Sequence, residues 1–183
     1  MNRTLVAAPR SGLITMEQAK EHLRVTVTDE DELIEAIIYA ATESVEHSTN
    51  RCFIKRSYKN SWPVFADYFL AMPLDSITSV EYYDSDNALQ TVSASDYSIN
   101  KTEGQLIFNS DYSFPSVYDR HDGFQVTYTA GYDVVEIPAQ AVAACKLIAA
   151  DLFENREGQH LGLPAIPNET VARLLAGLRV HTI

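Results

Sequence analysis

Two carboxylates and a basic residue lie close together near the end of one apolar segment, in the sequence Glu154-Asn155-Arg156-Glu157. Carboxylates at this spacing could act as a general acid and a general base if the fold placed them in a cleft. At a helix end beside Arg156, these two glutamates more often form local ion pairs with the arginine, worth about 0.2–0.5 kcal/mol each. We therefore interpret the cluster as a helix terminus and keep a carboxylate-based hydrolase as an alternative.

The other residues that could do chemistry are scattered along the chain. No HExxH, GxSxG, Walker or Rossmann glycine motif occurs. Cys52 and Cys145 form no CxxC pair; we interpret them as buried free thiols, with a disulfide left open. The segment from Asp84 to Ala88 lacks the terminal Glu of an EF-hand loop and is interpreted as a turn. The histidines show no metal-binding spacing; they are His22, His47, His121, His160 and His181. We expect no catalytic residue, no cofactor and no metal site.

The composition favours a folded protein with an acidic surface. The 183 residues are 46% hydrophobic and carry a net charge of −11, which is compatible with one domain or one domain with an inserted subdomain. No apolar run approaches the roughly 20 residues that span a bilayer, so we expect a soluble, intracellular protein without membrane contact. An acidic chain repels phosphate, which argues against tight nucleic-acid binding but permits DNA to pass nearby.

The N-terminal part of the chain has helical spacing. Thr15 and Gln18 predict a capping box at the start of a first helix. Thr28 is a candidate N-cap for a second helix, with acidic residues in its first turn. Its predicted apolar face consists of Leu33, Ile34, Ile37, Ile38, Ala41 and Val45. No Lys or Arg occurs from Asp29 to Glu46, so the opposite face is acidic, either for solvation alone or as a surface that must not bind DNA.

The middle of the chain, from Cys52 to Tyr132, has the pattern of short β-strands. Ile54, Tyr58 and Trp62 alternate with polar residues at a period close to two. Gly104 lies between two such runs and predicts a hairpin turn. Helical segments precede and follow this region. The sequence therefore predicts an α+β fold, with a mainly α-helical frame and an inserted antiparallel β subdomain.

The C-terminal part returns to helical spacing. Pro138 suits a first helical turn, and Gly158 suits the position just after the helix. The predicted buried stripe consists of Val142, Cys145, Ala149, Leu152 and Phe153. Asn168 can cap a last helix, whose predicted apolar face consists of Val171, Leu174, Leu175 and Leu178. Between the two helices lies an apolar, proline-containing stretch, which must pack on its own domain or reach a neighbouring subunit.

The order of these segments resembles the head–tail connector (adaptor, or head completion) proteins of tailed bacteriophages. The resemblance lies in four stretches: "LITMEQAKEHLRV" followed by "DEDELIEAIIYAATESVEHSTNR", "MPLDSITSVEYYDSDNALQTVSASDYSINKTEGQL", "YTAGYDVVEIPAQAVAACKLIAADLFENREG", and "VARLLAGLRV". Together they extend from Leu13 to Val180. Their order along the chain matches the family's N-terminal helices, β insertion, C-terminal helix and closing segment.

This resemblance implies a structural protein rather than an enzyme. Such proteins form a homo-oligomeric ring beneath the portal after packaging, extend the DNA channel and provide the attachment surface for neck and tail proteins. The implied partners are the portal protein, a neck or tail-completion protein, further copies of the chain, and passing DNA without specific binding. The implied location is the virion neck, with the host cytoplasm during assembly.

Specific hypotheses follow for regions and residues. Residues 1–51 would form N-terminal helices of the frame, 52–132 the β insertion, 133–158 the C-terminal core helix and 159–183 a docking tail. Glu32, Glu35 and Glu43 could line the channel. The residues that could dock on the portal or a neighbour are Leu161, Leu163, Ile166, Leu174, Leu175 and Arg179. A binding module that uses the β subdomain for another ligand or protein is the alternative function.

Overall fold

A computed structural model describes residues 2–7, 11–65, 68–101, 103–155 and 169–180. The chain divides into two compact units. One consists of Met1–Pro9 and Lys55–Asp133 and contains the strands. The other consists of Arg10–Ile54 and Val134–Ile183 and contains the helices. We call them the β unit and the helical unit.

The first two helices of the helical unit begin and end with defined caps. Helix α1, Met16–Leu23, has the predicted capping box between Thr15 and Gln18. Helix α2, Asp31–Thr49, begins three residues after Thr28, with Glu30 at the N-cap, so the prediction of Thr28 as the cap is wrong. The Thr28 carbonyl instead accepts the Asp31 N–H in the turn that precedes the helix.

The predicted apolar face of α2 is buried with one exception. Ile34, Ile37, Ile38, Ala41 and Val45 are each at most 7% exposed. Leu33, also assigned to this face, is 37% exposed. Because each residue rotates by about 100°, Leu33 lies at the margin of the stripe. Two buried threonines, Thr42 and Thr49, complete the buried face.

The last two helices pack on this frame. Helix α3, Ala139–Glu154, contacts α1 and α2, and helix α4, Glu169–Ala176, contacts α2 and α3. Cys145 and Ala149 are buried as predicted, together with Ala141 and Ala144. Small side chains allow close approach between helices. Leu152 is 39% exposed, so its assignment to the buried stripe is wrong. The predicted helix end at Gly158 and the predicted cap Asn168 lie outside the described residues.

The β unit contains a five-stranded antiparallel sheet in the order β1-β2-β8-β4-β5. The strands are β1 Asn2–Ala7, β2 Arg56–Trp62, β4 Leu74–Tyr83, β5 Leu89–Thr91 and β8 Phe124–Ala130. A three-stranded antiparallel sheet, in the order β3-β7-β6, consists of β3 Tyr68–Phe69, β6 Tyr97–Asn100 and β7 Gln105–Phe108. Strands β6 and β7 form the predicted hairpin, and Gly104 in its turn has a φ of 65°, which glycine adopts without a Cβ penalty.

The central strands carry the predicted alternation. Tyr58 lies opposite Tyr128, and Trp62 lies opposite Phe124. All four rings are at most 8% exposed, and each pair has ring centroids 5.8 Å apart. The Tyr128 hydroxyl donates to the side-chain carbonyl of buried Asn60 at 3.2 Å. Aromatic packing therefore anchors the middle of the sheet.

The fold is α+β with a mainly antiparallel sheet, as predicted, but the helices do not dominate the described part of the chain. Residues 2–7, assigned to the helical frame, instead form strand β1, which pairs with β2. This six-residue edge strand forms only through its long-range pairing with β2. The sequence of residues 2–7 therefore gives little indication that they form a strand.

Candidate functional site

The exposed face of α2 carries the three glutamates predicted to line a channel. Glu32, Glu35 and Glu43 are all exposed. Helical geometry places them within about 80° of one another and along about 16 Å of the helix. The Tyr39 hydroxyl donates to Glu35 Oε1 at 2.7 Å. None of the three glutamates forms an ion pair with a described residue. This face therefore presents concentrated negative charge to its surroundings.

Two other acidic residues of α2 hold the loops at its ends. The Glu46 carboxylate accepts the N–H groups of Phe53 at 2.7 Å and Ile54 at 3.1 Å, which fixes the chain after the helix. At the other end, Asp31 forms an ion pair with Lys20 of α1. Both acids hold backbone or charged partners at the helix ends, whereas the glutamates of the exposed face form no ion pair with a described residue.

The C-terminal residues attach to the helical unit. Leu175 is 1% exposed, Leu174 is half-buried and Arg179 is exposed. The Val180 N–H donates to the Thr49 carbonyl at 2.9 Å. Leu175 thus packs within its own unit, while Arg179 remains available at the surface. The other proposed docking residues, Leu161, Leu163 and Ile166, lie outside the described residues.

Of the two carboxylates considered for catalysis, the structure describes only Glu154. Glu154 is exposed at the end of α3, and Arg156 and Glu157 lie outside the described residues. Three histidines are exposed, namely His22, His47 and His121, and the other two lie outside the described part. Where the structure describes the chain, no group of three or more His, Cys, Asp or Glu side chains is placed to hold a metal ion. Within the same residues, no helix combines the length and apolarity needed to cross a membrane.

Both cysteines are buried and neither forms a disulfide, as predicted. The Sγ atom of Cys145 lies 3.9 Å from the Thr42 hydroxyl oxygen. Burial raises the pKa of the Cys145 thiol to about 11. Since the thiolate is the nucleophilic form, this residue is poorly suited to attack a substrate at neutral pH.

The Asp84–Ala88 segment is a turn, as predicted. The Asp84 carboxylate accepts the backbone N–H groups of Asp86 at 3.0 Å and Ala88 at 2.9 Å. Its second oxygen accepts from the Gln90 side chain at 2.7 Å. The Ala88 bond is the main cause of the lowered pKa of Asp84. This carboxylate therefore closes the turn between β4 and β5.

One surface feature of the β unit was not singled out from the sequence. Phe65 packs against Phe114, with ring centroids 5.2 Å apart, and against Phe108 at 5.7 Å. Phe114 is nevertheless 51% exposed, and Tyr118 nearby in sequence is 43% exposed. In the sequence, this surface is indicated only by the three aromatic residues at even-numbered positions of "YSFPSVY", residues 112–118.

Solved structures of similar fold come from gene transfer agent particles. A chain from the neck of an empty gene transfer agent (GTA) particle with C6 symmetry has a TM-score of 0.79 and 19% identity, covering 100% of this chain and 97% of its own. A chain from the virion of a native GTA particle has a TM-score of 0.78 and 21% identity over the same shares. A third, from the neck of a native GTA particle with C12 symmetry, has a TM-score of 0.78 and 19% identity, again over the same shares. No curated protein matches the sequence.

The family model of the head completion proteins matches residues 12–159. This match covers most of the chain and confirms the resemblance inferred from the order of its segments. It includes α1, α2, the whole stretch from β2 to β8, and α3. The protein therefore belongs to the head completion protein family and has a structural head–tail connector role.

Proposed function

We propose that this protein forms a homo-oligomeric ring beneath the portal, where it extends the DNA channel and provides the attachment surface for the next neck or tail protein. It acts through packing, symmetry and electrostatics and performs no catalysis. The observation that carries the proposal is the family match over residues 12–159. Assembly takes place in the host cytoplasm, and the mature location is the virion neck.

The ring requires two different contact surfaces on each copy. A closed ring is built from heterologous contacts, in which one face of a subunit binds a different face of its neighbour. The similar GTA chains belong to necks with C6 and C12 symmetry, which supports a symmetric assembly for this protein as well. The portal lies on one side of the ring, and a neck or tail-completion protein lies on the other.

The acidic face of α2 lines the channel in this proposal. Glu32, Glu35 and Glu43 share one exposed face and form no ion pair with a described residue. Double-stranded DNA carries one negative charge per about 1.7 Å of its axis, so a cationic wall would hold it by counterion release. An acidic wall lets DNA pass without binding.

The C-terminal tail makes the contact with the portal or a neighbouring copy. In this proposal Leu161, Leu163 and Ile166 supply apolar contacts, and Leu174 on α4 and Arg179, three residues after the end of α4, supply further contacts. Arg179 is exposed and can pair with an acidic partner. Leu175 contributes indirectly, because it attaches α4 to the helical unit.

Deletion of the gene tests the proposed position in the particle. Electron microscopy of the resulting particles should show heads that package DNA and then lose it, or heads without tails. Expression of the gene from a plasmid should restore complete particles. Complete tailed particles in the deletion strain would contradict the connector role.

Charge reversal tests the channel assignment separately. The triple variant E32K/E35K/E43K should assemble into particles but slow DNA release, because lysines facing the channel bind phosphate. The matched control is E17K/E21K/D29K, which makes the same charge change at exposed positions of the helical unit outside α2. Equal release rates for the two variants would show that these glutamates face away from DNA.

A further inference from the structure

A partly exposed aromatic surface lies on one side of the β unit. We call it the aromatic surface, and it consists of Val64, Phe114 and Tyr118, which are 58%, 51% and 43% exposed. Beneath it, the Phe65 ring lies 4.6 Å from the Phe124 ring of the central strand β8. The exposed rings thus extend the buried core to the surface. Solvent exposure of large aromatic rings in one area is typical of a binding surface.

Three chain segments meet at this surface and hold it in place. Phe114 and Tyr112 pack edge to face, with centroids 5.1 Å apart, and Phe108 stacks on Tyr112 at 5.1 Å. Gly123 lies between the backbones of Pro63 and Tyr118. A Cβ atom at this position would be only 2.9 Å from the Pro63 carbonyl oxygen and 3.0 Å from the Tyr118 carbonyl oxygen. The segments that carry Val64 and Tyr118 are therefore adjacent. A partner would meet rings that already have a fixed arrangement, which lowers the entropic cost of binding.

The segment that carries Phe114 and Tyr118 has an excess of negative charge. Asp111 and Asp119, on the segment that carries Phe114 and Tyr118, are exposed and form no ion pair with a described residue. The nearby cation Arg120 is already bonded to both carboxylate oxygens of Asp122, at 2.6 and 2.9 Å. The surface therefore combines apolar rings with unbalanced negative charge.

We propose that the aromatic surface binds a positively charged segment of another neck protein. An Arg or Lys side chain of that segment stacks on the ring of Phe114 or Tyr118 and pairs with Asp111 or Asp119. Cations are attracted to the faces of aromatic rings, and arginine and aromatic residues are both enriched at protein interfaces. The same carboxylates repel DNA. This inference rests on the proposed function, because it assigns a surface for the attachment of the next neck component.

A photo-crosslinking residue at this surface tests the inference in assembled particles. We would replace Phe114 with p-benzoylphenylalanine in the full chain, irradiate purified particles and identify the crosslinked peptide by mass spectrometry. A second variant carries p-benzoylphenylalanine in place of Tyr118, so that the test can still be made if the Phe114 variant does not fold. The matched control is the replacement of Val27, which is 54% exposed in the helical unit. The expected result is a crosslink from both aromatic positions, and not from Val27, to a segment of another neck protein rich in Arg or Lys.

The other outcomes contradict the inference in distinguishable ways. If the chain is present in the particles but crosslinks to a second copy of itself, crosslinks to DNA or forms no crosslink, the inference is overturned. Absence of the chain from the particles would overturn the proposed function as well.

A charge variant adds an independent readout. D111K/D119K should lower the yield of the crosslink from position 114 by about tenfold, because like charges then face each other. E17K/E21K, on α1, should leave that yield unchanged, and equal yields for the two variants would contradict the role of the carboxylates.

Discussion

Arg120 lies over the ring of Tyr83, with its guanidinium carbon 3.7 Å from the ring centroid. The same guanidinium forms the two-point ion pair with Asp122 and donates to the side-chain carbonyl of Asn87 at 3.0 Å. Asn87 belongs to the turn between β4 and β5, and Asp122 directly precedes the turn glycine before β8. One side chain therefore joins two turns of the β unit.

We expect Arg120→Lys to lower the melting temperature by a few degrees. Lysine keeps the charge, but its ammonium group cannot form two parallel bonds to one carboxylate or lie flat on a ring. Arg173→Lys is the control, since Arg173 is exposed on α4. Thermal unfolding followed by circular dichroism measures the effect. Equal melting temperatures for both variants would show that the guanidinium geometry is unimportant.

The contribution of Asp122 should depend on pH in the acid range. Arg120 holds the pKa of Asp122 below its ordinary value of 3.8, mainly through the hydrogen bonds between the two side chains. A carboxylate with a lowered folded-state pKa stabilises the protein above the unfolded pKa, and this contribution is lost as the pH falls through the folded value. The melting temperature of the wild type should therefore exceed that of Asp122→Asn at pH 6, and the difference should shrink below about pH 4. A constant difference across this range would contradict the ion pair's contribution.

Thr42→Val should destabilise the protein by about 1–3 kcal/mol, measured by urea unfolding. The Thr42 hydroxyl is buried, donates to the Ile38 carbonyl at 2.8 Å and accepts the Leu13 N–H at 3.0 Å. Valine preserves the shape but leaves that N–H without its partner. Thr49→Val is the matched control, because the buried Thr49 hydroxyl donates to the Val45 carbonyl at 2.8 Å and accepts no N–H from the backbone of the described residues. If Thr49→Val lowers the stability as much as Thr42→Val, the loss comes from the helix and not from the hydrogen bond to the Leu13 N–H.

Glu46→Ala should also cost about 1–3 kcal/mol, since it leaves the N–H groups of Phe53 and Ile54 without their carboxylate partner. Glu43→Ala, one turn earlier on the same helix, removes an exposed carboxylate and should stay within about 0.5 kcal/mol of the wild type. Chemical denaturation of the two variants provides the comparison. A similar loss for both would mean that the charge of α2, rather than the Glu46 bonds, determines stability.

Leu175→Ala and Leu174→Ala should separate folding from docking. Leu175 is fully buried, so its truncation should cost about 2–5 kcal/mol. Leu174 is half-buried and should cost less, while weakening attachment to portal-containing heads if the docking proposal holds. Urea unfolding and cosedimentation with tailless heads give the two readouts. Normal cosedimentation of a Leu174→Ala/Arg179→Ala variant would exclude these two residues from the docking surface.

The helices were largely predictable because their determinants are local. The capping box of Thr15 and Gln18 and the three- and four-residue spacing of Ile34, Ile37, Ile38 and Ala41 each act within one or two turns. The errors occur at the margins. Leu33 and Leu152 have the right residue type for a buried stripe, yet their exposure depends on how far neighbouring helices extend over them.

Local sequence says less about the sheet and the surfaces. Strand β1 forms through pairing with β2, about 50 positions later in the sequence, and no nearby residue indicates it. The aromatic surface likewise combines Val64 with Phe114 and Tyr118, which only the folded β unit brings together. Such contacts depend on strand register and loop closure, which short-range patterns do not encode.

By itself the sequence determined the acidic charge, the main helices with the capping box of α1, the antiparallel character of the middle region and the membership in a connector family. Each of these depends on composition, on periodicity or on the order of segments along the chain. The tertiary structure decided which acids have partners, that Leu175 packs within its own unit and that Phe114 remains exposed. These outcomes depend on which distant side chains meet, and therefore on packing that becomes defined only when the whole chain folds.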